Sequence, residues 1–343
     1  MSSEAAGAVA RDGRDTVARV RSLVIAAAMP ILVVVMILGF ASVEPRIVSP
    51  ANLANILGQV SYLAIFAAAQ MIVILTRGFD LSLGMCVSAV SVLTALIMTG
   101  MVGAHGGDGT GGGLVYAGIA LAVVAGIGFG AAVGLFNGFC VSVLGVNPFI
   151  VTLGSLNICY GIATTISGGR PVFNVPQEFS NLFYTGQLFG IPTSVFIAAA
   201  VLLAIWLLLT RTVLGRSFYL IGSNPRAAKV AGIPSRLYLT LAYVLCSVLA
   251  AIGAMLLTAR TGSGEPNLGG NLTLESIAAA VIGGVSLRGG IGGVGAALIG
   301  ALFVTVLSNA MNLTRIDGYV QMIVLGSVII LAVFVDRLRA AWS

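Results

Sequence analysis

Few residues in this chain are of a type that could do chemistry, and they are scattered. The single histidine, His105, sits among Gly106, Gly107 and Gly109, where it reads as a solvated loop residue rather than a metal ligand. Cys86, Cys140, Cys159 and Cys246 form no C-x-x-C pair and fall inside apolar runs, so they read as small packing residues, and no metal centre is expected. No H-E-x-x-H, G-x-S-x-G or G-x-x-x-x-G-K-[ST] pattern occurs. Without a nucleophile and base, a metal cluster or a phosphate-binding loop, the chain is not expected to be an enzyme or to bind a cofactor. Any ATP and Mg used with it belong to another chain.

What remains is a set of polar residues at or near membrane depth. Asp80 lies in Gly78-Phe-Asp-Leu-Ser-Leu-Gly84 between two apolar runs, where an ionised carboxylate is costly unless paired or hydrated. Two compatible readings stand: Asp80 or Ser82 caps the following helix, or they line a solute path. Gln70, Asn147, Thr152, Asn157 and Glu275 are placed similarly, as path residues or as hydrogen-bonding glue between helices. Pro148 and Phe149 open the next run behind Asn147. Residues 171–190 carry Pro176, Gln177, Glu178, Phe179, Phe183 and Tyr184, which read as a short interfacial gating helix or as an aromatic belt.

Residues 211–236 have the most specific local design. Asn224 suits an N-cap, Pro225 the first helical position, Arg226-Ala227-Ala228-Lys229 a helix interior, and Gly232 the left-handed residue just past the end; Ile233 and Pro234 follow. The expectation is a two-turn helix bounded at both ends. It serves either as a plain connector or as a rigid lever held by a partner.

These residues must be positioned by membrane helices. Of 343 residues, 58% are hydrophobic and 8% charged, too few charges to coat a soluble surface. Apolar runs at 22–43, 56–76, 81–103, 113–144, 148–169, 191–210, 237–259, 291–314 and 318–335 are each long enough to cross about 30 Å of hydrocarbon. A tenth, 273–287, is short and contains Glu275. Continuous apolarity favours helices over barrel strands, so the fold class is all-α, a polytopic bundle of about ten transmembrane helices. The first run imitates a secretory signal but is longer than an h-region of about 7–15 residues, and it is read as a retained anchor.

Charge sets the orientation. With ten spans and the N-terminus inside, Arg11, Arg14, Arg19, Arg21, Arg77, Arg211, Arg216, Arg226, Lys229, Arg236, Arg288, Arg337 and Arg339 are cytoplasmic, and only Arg46, Arg170, Arg260 and Arg315 are outside. Both termini are thus expected in the cytoplasm. The organisation is a tail (1–21), a permease domain (22–335) with the cytoplasmic loop 211–236, and a second tail (336–343). The net charge of +6 follows from this topology, so no nucleic-acid partner is expected. Gly126, Gly130, Gly134 and Gly138 recur every four residues on one helix face, a packing stripe. The Gly-rich breaks 77–84 and 286–293 echo each other faintly, as internal repeats of transporters do.

With these segments laid out, the chain resembles the ribose-type permeases of bacterial ATP-binding-cassette sugar importers over about residues 51–336. The resemblance rests on five motifs in order: Gly78-Phe-Asp-Leu-Ser-Leu-Gly84, Asn147-Pro-Phe-Ile-Val-Thr-Leu-Gly154, Gly168-Gly-Arg-Pro-Val172, the stretch from Gly215 through Ser223-Asn-Pro-Arg-Ala-Ala-Lys to Gly232-Ile233, and Ile277-Ala-Ala-Ala-Val-Ile-Gly-Gly284. Phe79, Asn147 and Leu287-Arg288 depart from the commonest pattern. The resemblance implies a permease subunit in the bacterial inner membrane that carries a pentose, hexose or related polyol by alternating access. It also implies a second permease copy or homologue, cytoplasmic ATPase subunits that bind ATP and Mg, and a periplasmic sugar-binding protein. Residues 224–233 match the family's coupling helix. The competing readings are a permease of the same class for branched amino acids or nucleosides, an ion-coupled transporter using Asp80 and Glu275, and a channel or scaffold that does not pump.

Overall fold

The computed structural model describes residues 29–103 and 111–341. His105, the basic tail 1–21 and the start of the first apolar run lie outside the described residues. The elements are α1 (Met29–Val43), a 3-10 turn (Pro45–Val48), α2 (Pro50–Leu75), α3 (Leu83–Gly103), α4 (Gly111–Ser142), α5 (Pro148–Ser167) and α6 (Gln177–Ser180). After a π turn (Asn181–Thr185) come β1 (Gln187–Leu188), β2 (Ile191–Pro192), α7 (Thr193–Arg211), α8 (Val213–Ser223), α9 (Pro225–Val230), α10 (Ser235–Thr261), α11 (Leu272–Gly283), α12 (Val294–Leu313) and α13 (Gly318–Ala341). β1 and β2 form a two-residue antiparallel hairpin, a small addition to the expected all-helical fold. Seven helices are long and apolar enough to cross a membrane, and α1, α11 and the described apolar part of α13 are shorter.

α2 is the axle of the bundle. Apolar on every side, it is buried along nearly its whole length, from Val60 to Leu75 without a break, as a helix enclosed by other helices must be. α7, α10, α11 and α12 surround it, while α1, α5, α13 and the outer side of α7 present exposed apolar side chains such as Leu38, Ile150, Ile330 and Leu203 outward, where hydrocarbon is the matching solvent.

The glycine stripe of α4 lies against α10. A Cβ on Gly130 would fall 2.6 Å from the Ser247 carbonyl oxygen, and one on Gly138 2.7 Å from the Thr240 Cα. Backbone therefore meets backbone, which is how helices gain dispersion contact when lipid removes the hydrophobic drive to associate. The same device, with no four-residue pattern to announce it, joins α11 to α12: a Cβ on Gly283 would strike the Ala296 carbonyl, and one on Gly300 that of Ala279.

The tenth expected span is corrected. Its helical part runs only over Leu272–Gly283, 12 residues or about 18 Å at 1.5 Å each. The ten residues before it, 262–271, form a non-helical segment that runs along α3. Gly264 packs against Ala95, the Ser91 hydroxyl accepts from Glu265 N at 3.4 Å, that of Ser88 accepts from Gly269 N at 2.9 Å, and Gly269 presses on Gly84. From Ala95 to Gly84 is eleven residues of α3, about 16 Å. Irregular backbone at this depth survives only when protein groups replace water, and the α3 serines supply them. α11 thus starts partway through the bundle, where the Thr273 hydroxyl accepts from Gly84 N at 2.9 Å and donates to the Leu81 carbonyl.

Candidate functional site

Two regions collect the polar residues, and the break between α2 and α3 joins them. α2 ends at Leu75, and the chain turns back so that Asp80 returns to the level of Gln70, whose Nε2 donates to the Asp80 carbonyl at 3.2 Å. Asp80 is fully buried. Its Oδ1 accepts from the backbone N of Ser82 at 2.9 Å and from the Ser82 hydroxyl, which rigidifies the entry to α3. Asn137 of α4 donates to the Ser82 hydroxyl at 2.9 Å, and Ser155 of α5 donates to Asn137 Oδ1. One chain of hydrogen bonds therefore ties the α2–α3 break to α4 and α5, while α10 closes it with Cys246 and with the Tyr243 hydroxyl, which donates to the Phe79 carbonyl at 3.3 Å. Among the described residues, none donates a hydrogen bond to Asp80 Oδ2.

Sequence reasoning passed over Asn137 and Ser155. The available signal was a lone amide deep in the apolar 32-residue α4, but which way it points depends on how α4 rotates against α3 and α5.

The other expected path residues divide by exposure. Gln70, Ser82 and Thr152 are buried; Thr152 donates to the Pro148 carbonyl of its own helix. Asn147 caps α5 by accepting from Phe149 N at 2.9 Å, and its side chain is exposed together with those of Phe149 and Asn157. Pro148 is half-buried at the first position of α5, and Glu275 is half-buried in the first turn of α11. Asn147, Phe149 and Asn157 are thus exposed and not brought to Asp80.

The second region is the elbow of α8 and α9. Asn224 Oδ1 accepts from Ala227 N at 3.0 Å, with Pro225 at the first position. At the far end Gly232 adopts φ +71°, and Ile233 N reaches back to the Ala228 carbonyl at 3.1 Å. Arg226, Lys229 and Gly232 are exposed, Ala227 and Ile233 half-exposed, and Ala228 is buried beneath the helix. Arg77, just beyond α2, donates from Nε to the Gly222 carbonyl and from Nη2 to the Ser223 carbonyl at 2.9 Å, so the last carbonyls of α8 end on a guanidinium. Gly290 N donates to the Leu75 carbonyl at 2.9 Å, and Gly222 and Gly290 each sit where a Cβ would strike backbone. The two Gly-rich breaks that echo each other in sequence therefore pack together under α8. Beside them a groove of about 690 Å³ is lined by Arg77, Lys229 and Arg236 among others.

At the opposite end of α2, the segment 171–190 is folded onto the bundle. Phe179 is fully buried and stacks on Phe183 with centroids 4.7 Å apart. The Tyr184 hydroxyl fills the space over Gly58, next to Arg260, which donates to the Tyr62 hydroxyl and lies over its ring at 5.5 Å. Burial pushes the Tyr184 hydroxyl above its usual range, with Arg260 pulling the other way. Neither interfacial reading of these aromatics describes Phe179, which is a core residue.

Comparison with known proteins follows the same lines. A family model described as branched-chain amino acid transport system, permease component, matches residues 52–333. The ribose import permease protein RbsC of Escherichia coli K12 is 36% identical over 310 residues, covering 90% of this chain and 92% of that protein. The galactose/methyl galactoside import permease protein MglC of the same organism is 35% identical over 304 residues, covering 87% and 90%. The ribose import permease protein RbsC of Bacillus subtilis is 32% identical over 299 residues, covering 87% and 88%. No solved structure gives a significant match.

Proposed function

Because this chain belongs to the family described as the permease component of branched-chain amino acid transport systems, we propose that it is the membrane-spanning permease subunit of an ATP-binding-cassette importer, and that its cargo is a sugar. Relatives named for ribose and galactose import, matched along nearly the whole chain, support the sugar over the amino acid of the family's title. The observation that carries the reading is the elbow: an exposed two-turn helix, capped at both ends and fastened to the central helix through Arg77.

In this reading ten segments cross the bacterial inner membrane, with 262–271 and α11 together making one crossing and both termini in the cytoplasm. Two permeases, a second copy or a homologue, pair in the bilayer, and a periplasmic sugar-binding protein delivers the cargo to the Tyr184 end. Separate ATPase subunits hold ATP and Mg and grip Asn224, Pro225, Arg226, Ala227, Lys229, Gly232 and Ile233, with Ala228 packed beneath them. The cationic groove of Arg77, Lys229 and Arg236 suits acidic side chains on such a partner.

The geometry then has a direct consequence. A push on α9 reaches α8 through one shared residue, Asn224, and reaches the end of α2 through Arg77, where the turn bearing Asp80 begins. Packed helices shift as bodies rather than bending, so closure of the ATPases rocks the helices around a central path. Gln70, Asp80, Ser82 and Thr152 hold the inner framework of that path, and Asn147, Pro148, Phe149, Asn157 and Glu275 supply its surface. Asn157 Nδ2 donates to the Leu153 carbonyl of its own helix at 3.0 Å, and its exposed Oδ1 still favours a water-lined path or a partner helix over lipid.

Cysteines placed at Arg226 and Lys229 test the topology: they should react with membrane-impermeant thiol reagents only from the cytoplasmic side. Reaction from outside would leave the ATPase nothing to hold. Copurification followed by mass spectrometry should recover an ATPase with the chain. Uptake that persists in vesicles without ATPase but with an ion gradient would favour the ion-coupled reading instead.

A further inference from the structure

α11, α12 and α13 enclose a cleft of about 420 Å³, within the range of about 300–1,000 Å³ that small-molecule sites occupy. We propose that this cleft is a monosaccharide-binding station of the permease, and that Glu275 is its principal hydroxyl acceptor. The proposal rests on the importer reading above and adds the site and its selectivity.

Three observations carry it. The first is the break in the crossing: because 262–271 is not helical, α11 begins inside the bundle, and its Asn271 makes no side-chain cap. Interrupted helices at this depth are where membrane carriers build sites, because they free polar groups that an unbroken helix would consume. The second is the state of the lining. The side chains of Asn271, Glu275 and Ser308 make no hydrogen bond or ion pair among the described residues. Gln321 spends Nε2 on Asn312 and on the Ile316 carbonyl, which leaves Oε1 as an acceptor. Groups left unmatched in a half-buried cleft are costly unless something polar comes to meet them.

The third is the charge. A carboxylate, amides and a hydroxyl around an apolar floor, with Tyr319 at the rim, match a neutral molecule rich in hydroxyls and carrying one C–H face. Among the described residues no lysine or arginine lines the cleft, so the carboxylate of an amino acid would find no counter-ion from them there. No group of three His, Cys, Asp or Glu among the described residues could hold a metal ion, which disfavours a cation site of the oxygen-rich kind. Within a family whose title names amino acids, the same cleft therefore selects sugar.

The test uses the full chain in lipid nanodiscs. With Ser308→Cys as reporter and the unmodified chain as background for the four native thiols, the rate of reaction with a small methanethiosulfonate reagent is measured alone, with D-ribose, with D-galactose and with L-leucine. Asn271→Cys serves as a second reporter if Ser308→Cys does not fold. At a sugar concentration ten times Kd, mass action slows the reaction roughly tenfold. We expect this for at least one sugar and not for leucine, and expect Glu275→Gln to remove the protection without changing the unprotected rate. Protection by neither sugar, protection by leucine alone, or protection intact in Glu275→Gln overturns the proposal. A reaction that proceeds only after lipid is stripped assigns the cleft to lipid and also overturns it. The same preparation is checked for a copurifying ATPase: if one is present and the sugars do not protect, the cleft proposal alone fails, and if none is found the importer reading fails.

Discussion

Arg77 reaches across 146 positions of sequence to donate to the Ser223 carbonyl at 2.9 Å, and it does so from a left-handed backbone at φ +66°. A side-chain-bearing residue in that conformation costs about 1–2 kcal/mol, which is offset because a charged donor satisfies the last carbonyls of α8. Arg77→Gly relieves the backbone and removes the link, whereas Arg77→Ala removes the link and keeps the strain. Arg77→Ala should therefore melt lower than Arg77→Gly in detergent, by roughly 1 kcal/mol of stability. Both should lose sugar uptake per ATP hydrolysed in reconstituted vesicles. Unimpaired coupling in Arg77→Gly would remove the latch from the mechanism.

Gly232 has open space around its Cα but a φ of +71°, so only the backbone objects to a side chain. Gly232→Val should cost about 1–2 kcal/mol locally and distort the turn past α9 while the bundle stays folded. ATP hydrolysis by the partner should continue with little uptake. Wild-type coupling in this variant would count against the lever.

Gly134 faces α10 so closely that a Cβ would lie 2.6 Å from the Val244 Cα, whereas Gly128 on the same helix has nothing within 4 Å. Gly134→Val should destabilise the protein by about 1–3 kcal/mol or more through overpacking, and Gly128→Ala should be neutral or stabilising. Thermal unfolding in detergent compares the two directly; equal loss in both would mean that helix propensity rather than packing sets the outcome.

Asn137 joins Ser82 to Ser155, so removing it leaves the buried Ser155 hydroxyl without its acceptor, at about 1–3 kcal/mol. Because the two residues share one bond, Asn137→Ala combined with Ser155→Ala should cost less than the sum of the single changes. Strict additivity would show that the bond contributes nothing.

Asp80 gives Oδ1 to the Ser82 backbone and hydroxyl, and an amide oxygen can take the same place. Asp80→Asn should keep the melting temperature within about 1 kcal/mol of the parent, whereas Asp80→Ala, which exposes a buried donor, should lose about 1–3 kcal/mol. If Asp80→Asn folds normally yet abolishes uptake, the carboxylate has a role in transport beyond holding the α2–α3 break.

The residues that sequence reading placed well are those whose neighbours along the chain determine them. The cap at Asn224, Pro225 at the first position and the turn at Gly232 depend on contacts three to five residues away, and all three have the expected local geometry. The stripe from Gly126 to Gly138 announced a close helix neighbour, but only the packed bundle named it as α10. Where hydropathy was misleading, as at 273–287, a run of small and apolar residues looked like one more helix. The helix there is only Leu272–Gly283, and the non-helical segment before it, 262–271, is stabilised by Ser88 and Ser91, more than 170 residues earlier.

By itself, then, the sequence determined that this chain is a bundle of apolar helices suited to lipid, and that one capped helix lies in the loop 211–236. Those properties follow from composition, from the length needed to cross hydrocarbon, and from hydrogen bonds closed within a turn or two. Tertiary structure alone decided that Asp80 meets Asn137, that Arg77 holds the end of α8, and that α11 starts halfway through and opens a cleft at Glu275. Those contacts join distant segments, and they depend on the rotation and depth of each helix, which a periodic apolar pattern leaves free when every face is greasy.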